Sequence, residues 1–180
     1  AVIEGEYIST LRDISSVNIR IAREHTGISD VLFYETALRD NFKGLIIAGP
    51  PLCGKTTMLK DLAESISEGR IIDVKKVSII DERGELTCNK YEINADILCN
   101  YPKDKAIMTA LRTLSPEYII CDEVGNGKDI EAITSAVNSG VNFIVTVHCF
   151  DIEDFIRRPQ TQELLETRCF ENVVLLNSSD

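Results

Sequence analysis

The run GPPLCGKT at 49–56 restricts the fold more than any other stretch. It follows a wholly apolar segment, GLIIA, and precedes KTTMLKDLAESIS, in which Met58, Leu59, Leu62 and Ile66 recur at helical spacing. Gly-x-x-x-x-Gly-Lys-Thr between a strand and a helix is the pattern of a phosphate-binding loop, and the conjunction of motif and context argues against an ordinary strand-to-helix turn. Backbone amides of 51–56 and the helix N-terminus offer partial positive charge to a β-phosphate; Lys55 reaches the β- and γ-phosphates, and the Thr56 hydroxyl can ligate Mg²⁺. Gly49 and Gly54 are expected where backbone and phosphate come close and where torsions suit a residue without Cβ. Pro50, Pro51, Leu52, Cys53 and Thr57 complete the expected nucleotide-binding set.

The regular pattern continues from there. KKVSIID, EYIICDE, NFIVTVH and ENVVLLN are apolar strands, separated by helical patterns in KDKAIMTALRTL, with Ile107, Met108 and Leu111 inward, KDIEAITSAVNSG, ending at Gly140, and QTQELLETR. Apolar strands alternating with helices predict an α/β fold with a mostly parallel sheet covered on both faces. GELTCNKYEINADILCN is expected mainly in loops. In the first 24 residues Val17, Ile19 and Ile21 alternate at strand period, HTGISD reads as a linker that exposes His25, and YETALRDNF as a short helix.

Two carboxylates end the strand YIICDE, at the sheet edge where the phosphate loop must lie. Asp122 is placed to hold Mg²⁺ through water, and Glu123, on the opposite side at strand period, to polarise a water for in-line attack. VTVH brings Thr146 and His148 to the same edge. His148 either donates to a γ-phosphate or is a strand-end histidine bonded to backbone.

A formal net charge of −10 repels a phosphate backbone, and lysines and arginines are scattered singly. The densest group, Lys103 and Lys105 beside Asp104, reads as solvated surface, so no nucleic-acid partner is expected. Cys53, Cys88, Cys99, Cys121, Cys149 and Cys169 contain no CxxC pair, and buried thiols in a reducing compartment are the expectation. No apolar run reaches the roughly 18–20 residues that span a bilayer, and no basic-then-apolar leader opens the chain, so a soluble, cytoplasmic protein is expected.

GPPLCGKTT, VSIIDERGEL, LRTLSPEYIICDEVG, DIEAITSAVNSGVNFIVTVH and ISSVNIRIARE together resemble the stage III sporulation protein AA family, sporulation ATPases related to the type II and type IV secretion ATPases. The resemblance implies a RecA-like P-loop NTPase whose five core strands run in the order 5-1-4-3-2, which would set His148 between Lys55 and Glu123. It implies that DERGEL, with Asp81, Glu82 and Glu85, is the acidic box that helps organise Mg²⁺ and water, and that Glu82 and His148 join Lys55 and Glu123 as catalytic residues. Arg20 and Arg23 lie on the segment that can lend arginines to bound phosphates, and Arg112 matches an arginine preceding the third strand. Leu52 departs from the family's usual glycine.

Three parts follow: 1–24 as the end of an N-terminal domain, 25–42 as linker and short helix, and 43–180 as the ATPase domain. The implied activity is Mg²⁺-dependent ATP hydrolysis by a homohexameric ring that powers a sporulation membrane channel or secretion-like complex. Membrane proteins of that channel would hold the ring peripherally at the membrane on the mother-cell side. The alternatives are a RecA-like nucleic-acid motor and an ATP-gated assembly scaffold with little hydrolysis.

Overall fold

The computed structural model describes residues 2–4, 7–10, 16, 25–35, 44–86 and 93–177. Near the start, β1 (Val2–Glu4) and β2 (Tyr7–Thr10) pair antiparallel, a ladder the sequence pattern did not announce. The strand expected around Val17, Ile19 and Ile21 lies outside the described residues, as do Arg20, Arg23, Cys88 and 36–42 of the expected short helix. A turn at 26–29 leads into α1 (Asp30–Glu35).

The main sheet consists of β3 (Leu45–Gly49), β4 (Val77–Asp81), β5 (Asp96–Cys99), β6 (Tyr118–Cys121), β7 (Asn142–His148) and β8 (Asn172–Leu175). All neighbours pair in parallel, in the order β5-β4-β6-β7-β3-β8. Leaving out β5, that is the expected 5-1-4-3-2 order, in a sheet that is wholly rather than mostly parallel. Strand β5 corrects, at 96–99, the reading of 84–100 as mainly loop. Its residues alternate between half-buried and exposed, because it is an edge strand, and Asn94, Asp96 and Asn100 cut short the apolar run by which the central strands announce themselves.

Every residue of β3, β4 and β6 is buried, as a sheet covered on both faces requires. Successive side chains serve opposite cores. Leu45 and Ile47 pack with Ile79, Ile120 and Ile144 against Leu32 and Phe33 of α1 and against Met58, Leu59, Leu62 and Ile66 of α2 (Lys55–Glu68). Ile46 and Ala48 pack with Ile80, Ile119 and Phe143 against α3 (Lys103–Thr113), α4 (Gly127–Val137), α5 (Ile152–Arg157) and α6 (Pro159–Glu166).

The inward face of α2 is the expected one. In α3 the buried apolar positions are Ala106, Ile107 and Ala110, with Met108 and Leu111 only partly covered. Helix α4 stops at Val137, and the Gly140 amide closes the turn onto the Val137 carbonyl at 2.8 Å. Among the described residues no helix is long and apolar enough to cross a membrane.

Candidate phosphate and metal site

Strands β3, β4, β6 and β7 all end at one edge, with Gly49 opposite His148 and Cys121 opposite Val145 in register. The loop 50–54 joins β3 to α2 there. Gly54, the residue before α2, has φ 96°, in the left-handed region, and no atom lies within 4 Å of a Cβ added to it, so torsion alone demands glycine. At Gly49 the reason is packing: an added Cβ would meet the Leu176 carbonyl oxygen at 2.6 Å and Cys53 Sγ at 2.8 Å. Leu52 adopts φ 67° and is 90% exposed, so its side chain turns away from the loop interior and leaves the space a glycine would leave.

Lys55 is buried, and its ammonium donates to the carbonyls of Gly49 at 2.9 Å and Pro50 at 2.7 Å. It is thus turned back onto its own loop by bonds that a phosphate oxygen can replace. Thr56 Oγ1 donates to Asp122 Oδ2 at 3.1 Å, and the Thr146 hydroxyl donates to Asp122 Oδ1. Loop, third expected strand and fourth expected strand therefore meet at the Asp122 carboxylate.

Glu123 leaves the strand with φ 46°, a left-handed conformation that costs a non-glycine residue about 1 kcal/mol. Neighbours hold it there: its amide donates to Thr146 Oγ1 at 2.8 Å, and its carbonyl accepts from Lys103 Nζ at 2.7 Å. Its carboxylate takes a bond of 2.6 Å from Arg83 Nη1 and stands 4.0 Å from His148 Nε2. His148 lies between Lys55 and Glu123, since β7 runs between β3 and β6. Its buried Nδ1 has no hydrogen-bond partner among the described residues, which is not the backbone-bonded alternative.

Lys103 corrects the expectation of a solvated surface. It is 7% exposed, and besides the Glu123 carbonyl its ammonium lies 3.8 Å from Glu82 and 4.0 Å from Asp129. A lysine in the first turn of a helix opposes the helix dipole, and that mismatch was the available signal that it has work elsewhere. Burial raises the Asp129 carboxyl, with Lys103 pulling the other way.

The acidic box divides. Asp81 is buried and accepts the amides of Glu85 at 2.9 Å and Leu86 at 3.0 Å, so it fastens the turn 82–85. Glu82, Arg83 and Glu85 line an open cavity of about 660 Å³, solvent mouth included, together with Asp122 and Glu123. Arg83, absent from the sequence reading, sits within the acidic run it interrupts. Arg112 is exposed at the far end of α3, some 13 Å of helix rise from Lys103, so it does not join this site within one chain.

Of the thiols, Cys121, Cys149 and Cys169 are buried as expected, whereas Cys53 is half-buried and Cys99 exposed. Burial pushes the Cys121 thiol up to about 12, which leaves it unreactive beside Asp122. His25 is exposed, as expected.

A parallel sheet in this strand order, with a glycine-lysine loop and an acidic pair at one edge, defines the RecA-like P-loop class. Solved structures share the fold. The VirB11 ATPase from the Brucella suis type IV secretion system, in complex with sulphate, matches with TM-score 0.56 and 17% identity over 81% of this chain and 46% of that one. The pilus retraction motor PilT, with bound ADP, matches with TM-score 0.59 and 17% identity over 86% of this chain and 48% of that one. Within that class the chain belongs to the family of sporulation stage III, protein AA, whose model matches residues 1–180. The stage III sporulation protein AA of Bacillus subtilis is 36% identical over 98% of this chain, which spans 60% of that relative's length.

Proposed function

We propose that this chain is the motor domain of an Mg²⁺-dependent ATPase that assembles as a homohexameric ring. The ring would power a sporulation membrane channel or secretion-like complex, held by membrane proteins at the mother-cell side. The observation that carries the reading is the bond of Thr56 Oγ1 to Asp122 Oδ2 at 3.1 Å, which joins the phosphate loop to the acid of the neighbouring strand. A hydroxyl and a carboxylate so close are the hard oxygen donors that Mg²⁺ accepts while keeping several waters, so the donor set fits. When bound, the ion neutralises charge on the β- and γ-phosphate oxygens.

In this reading the amides of 51–56 hold the phosphates, and Lys55 exchanges the Gly49 and Pro50 carbonyls for β- and γ-oxygens. Glu123 orients the attacking water, Glu82 orders water on the same wall, and His148, with its free Nδ1 and its Nε2 near Glu123, donates to the terminal phosphate. Arg20 supplies a cation from the same or the adjacent subunit. Positioning and charge neutralisation are what phosphoryl transfer requires.

Phosphate release by the full-length protein tests it. Turnover that requires Mg²⁺ and falls about 100-fold in Glu123→Gln, with nucleotide still bound, is expected; unchanged turnover in that variant removes Glu123 from its role. Nucleotide-dependent oligomers with negligible turnover would favour the scaffold. Turnover that rises with added DNA would favour the nucleic-acid motor.

A further inference from the structure

The bond between Arg83 and Glu123 is not explained by the roles given so far. A residue expected to orient water has one carboxylate oxygen occupied by a guanidinium at 2.6 Å, and the other lies 4.0 Å from His148. We propose that Arg83 is the residue by which this site tells a nucleoside triphosphate from a diphosphate. It is moored to Glu123 when no terminal phosphate is present, and it transfers to that phosphate when one arrives, releasing Glu123. The inference rests on the nucleotide-binding reading above.

Three features support the exchange. The first is that both ends of the pair stand on fixed backbone. Glu123 is held at its amide by Thr146 and at its carbonyl by Lys103. Arg83 projects from a turn that Asp81 fastens through the amides of Glu85 and Leu86, with Gly84 at φ 70°. Only side-chain torsions remain to move, so the pair has discrete partners rather than a drifting backbone.

The second is exposure: Arg83 is 67% and Glu123 40% exposed at the side chain. A pair so wetted is weak and opens readily, in contrast to a buried one. The third is the competing partner. A terminal phosphate carries more charge than a carboxylate and accepts both arms of a guanidinium. Arg83 also lines the same cavity as Asp122 and Glu123, and Asp122 is bonded to Thr56 of the phosphate loop, so the cavity adjoins the expected place of the phosphates.

The test is a binding cycle on the full-length protein, with affinities for a nonhydrolysable ATP analogue and for ADP measured by competition against a fluorescent nucleotide. In Arg83→Ala the preference for the triphosphate over ADP should fall about fivefold or more while ADP affinity stays within about twofold. Glu123→Gln, which weakens the mooring, should raise the preference about two- to fivefold, the size of a surface ion pair. It should do so only when Arg83 is present. Arg83→Lys, keeping charge without the fork, should recover part of the preference.

An unchanged preference in Arg83→Ala, or an equal loss for both nucleotides, overturns the inference, the second outcome marking a merely structural residue. These readouts do not need hydrolysis. If the wild type binds but does not turn over, the hydrolytic reading fails while the cycle still decides Arg83; if it turns over and the preference is unmoved, Arg83 alone is discarded. A wild type that binds neither nucleotide removes both.

Discussion

Helices α2 and α4 leave the same edge of the sheet within a few residues of a strand end, yet their first turns are finished in opposite ways. In α4 the Asn126 side chain accepts the Asp129 amide at 3.0 Å and donates to the Asp129 carboxylate at 2.8 Å, so the turn closes on itself. In α2 the preceding residue is Gly54, which has no side chain to offer, and the first-turn lysine is occupied with carbonyls of its own loop. Helices α3 and α6 also start without a side-chain cap bond, but with Pro102 just before the one and Pro159 as the first residue of the other, each proline removing one of the amides that would lack a partner. Side-chain caps thus close α4 and α5, prolines begin α3 and α6, and α2 alone among these five helices has neither, with a first-turn lysine turned onto its own loop.

The harshest way to break this contrast is to remove the cation. Lys55→Ala should lower turnover by about 100-fold or more, the scale of losing one preorganised charge donor at a reacting group, with nucleotide affinity falling as well. Stopped phosphate release and fluorescent nucleotide titration check it. If affinity persists at the wild-type value, the open start of α2 does not hold phosphate.

A pair of glycine substitutions sharpens the comparison next. Gly54 needs a left-handed torsion and Gly127 does not, and neither would crowd a neighbour through an added Cβ. Gly54→Ala should therefore cost about 1–2 kcal/mol in urea unfolding, while Gly127→Ala should gain about 0.4–1 kcal/mol by restricting the unfolded chain. Equal effects of the two would mean that the strain at α2 is not intrinsic to its loop.

The central sheet and the phosphate loop were legible because their causes are local. Leu45, Ile46 and Ile47 declare a strand buried on both faces, and the residues at 49–56 declare a loop whose neighbours are strand and helix. Strand β5 was hidden because Asp96 and Cys99 at a sheet edge bury too little to create a pattern. Lys103 and Arg83 were hidden for another reason. Each gains its meaning from Glu123, 20 and 40 residues away in sequence, and no spacing within a single element encodes a contact made by the order of strands. Arg112 shows the converse, since its place before β6 in sequence puts it at the wrong end of α3 for this site.

On the closed side of the comparison, Asn126→Ala should cost about 1 kcal/mol of stability, the usual worth of a lost helix cap. A loss well below that, measured by urea unfolding, would mean that water or a neighbouring group satisfies the Asp129 amide equally well, and that α4 is less self-sufficient than its bonds imply.

The smallest effect separates the two helices by pH. On α2, burial alone would raise the Asp61 carboxyl, but bonds from Ser29, Gly27 and Arg70 outweigh it and hold the group below its ordinary value. On α4, burial prevails and Asp129 is raised despite Lys103. A depressed carboxyl contributes stability that is present above the unfolded value and is lost as pH falls through the folded one; a raised carboxyl contributes stability that is present below the unfolded value and is lost as pH rises through the folded one. The stability that Asp61→Asn removes should therefore shrink as the solution is acidified below the ordinary 3.8. The stability that Asp129→Asn removes should instead shrink from acid toward neutral pH. Urea unfolding of both variants beside the wild type at several acidic pH values reads the slopes directly. Slopes of the same sign would show that Lys103, not burial, governs Asp129, and that the closed start of α4 rests on an ion pair after all.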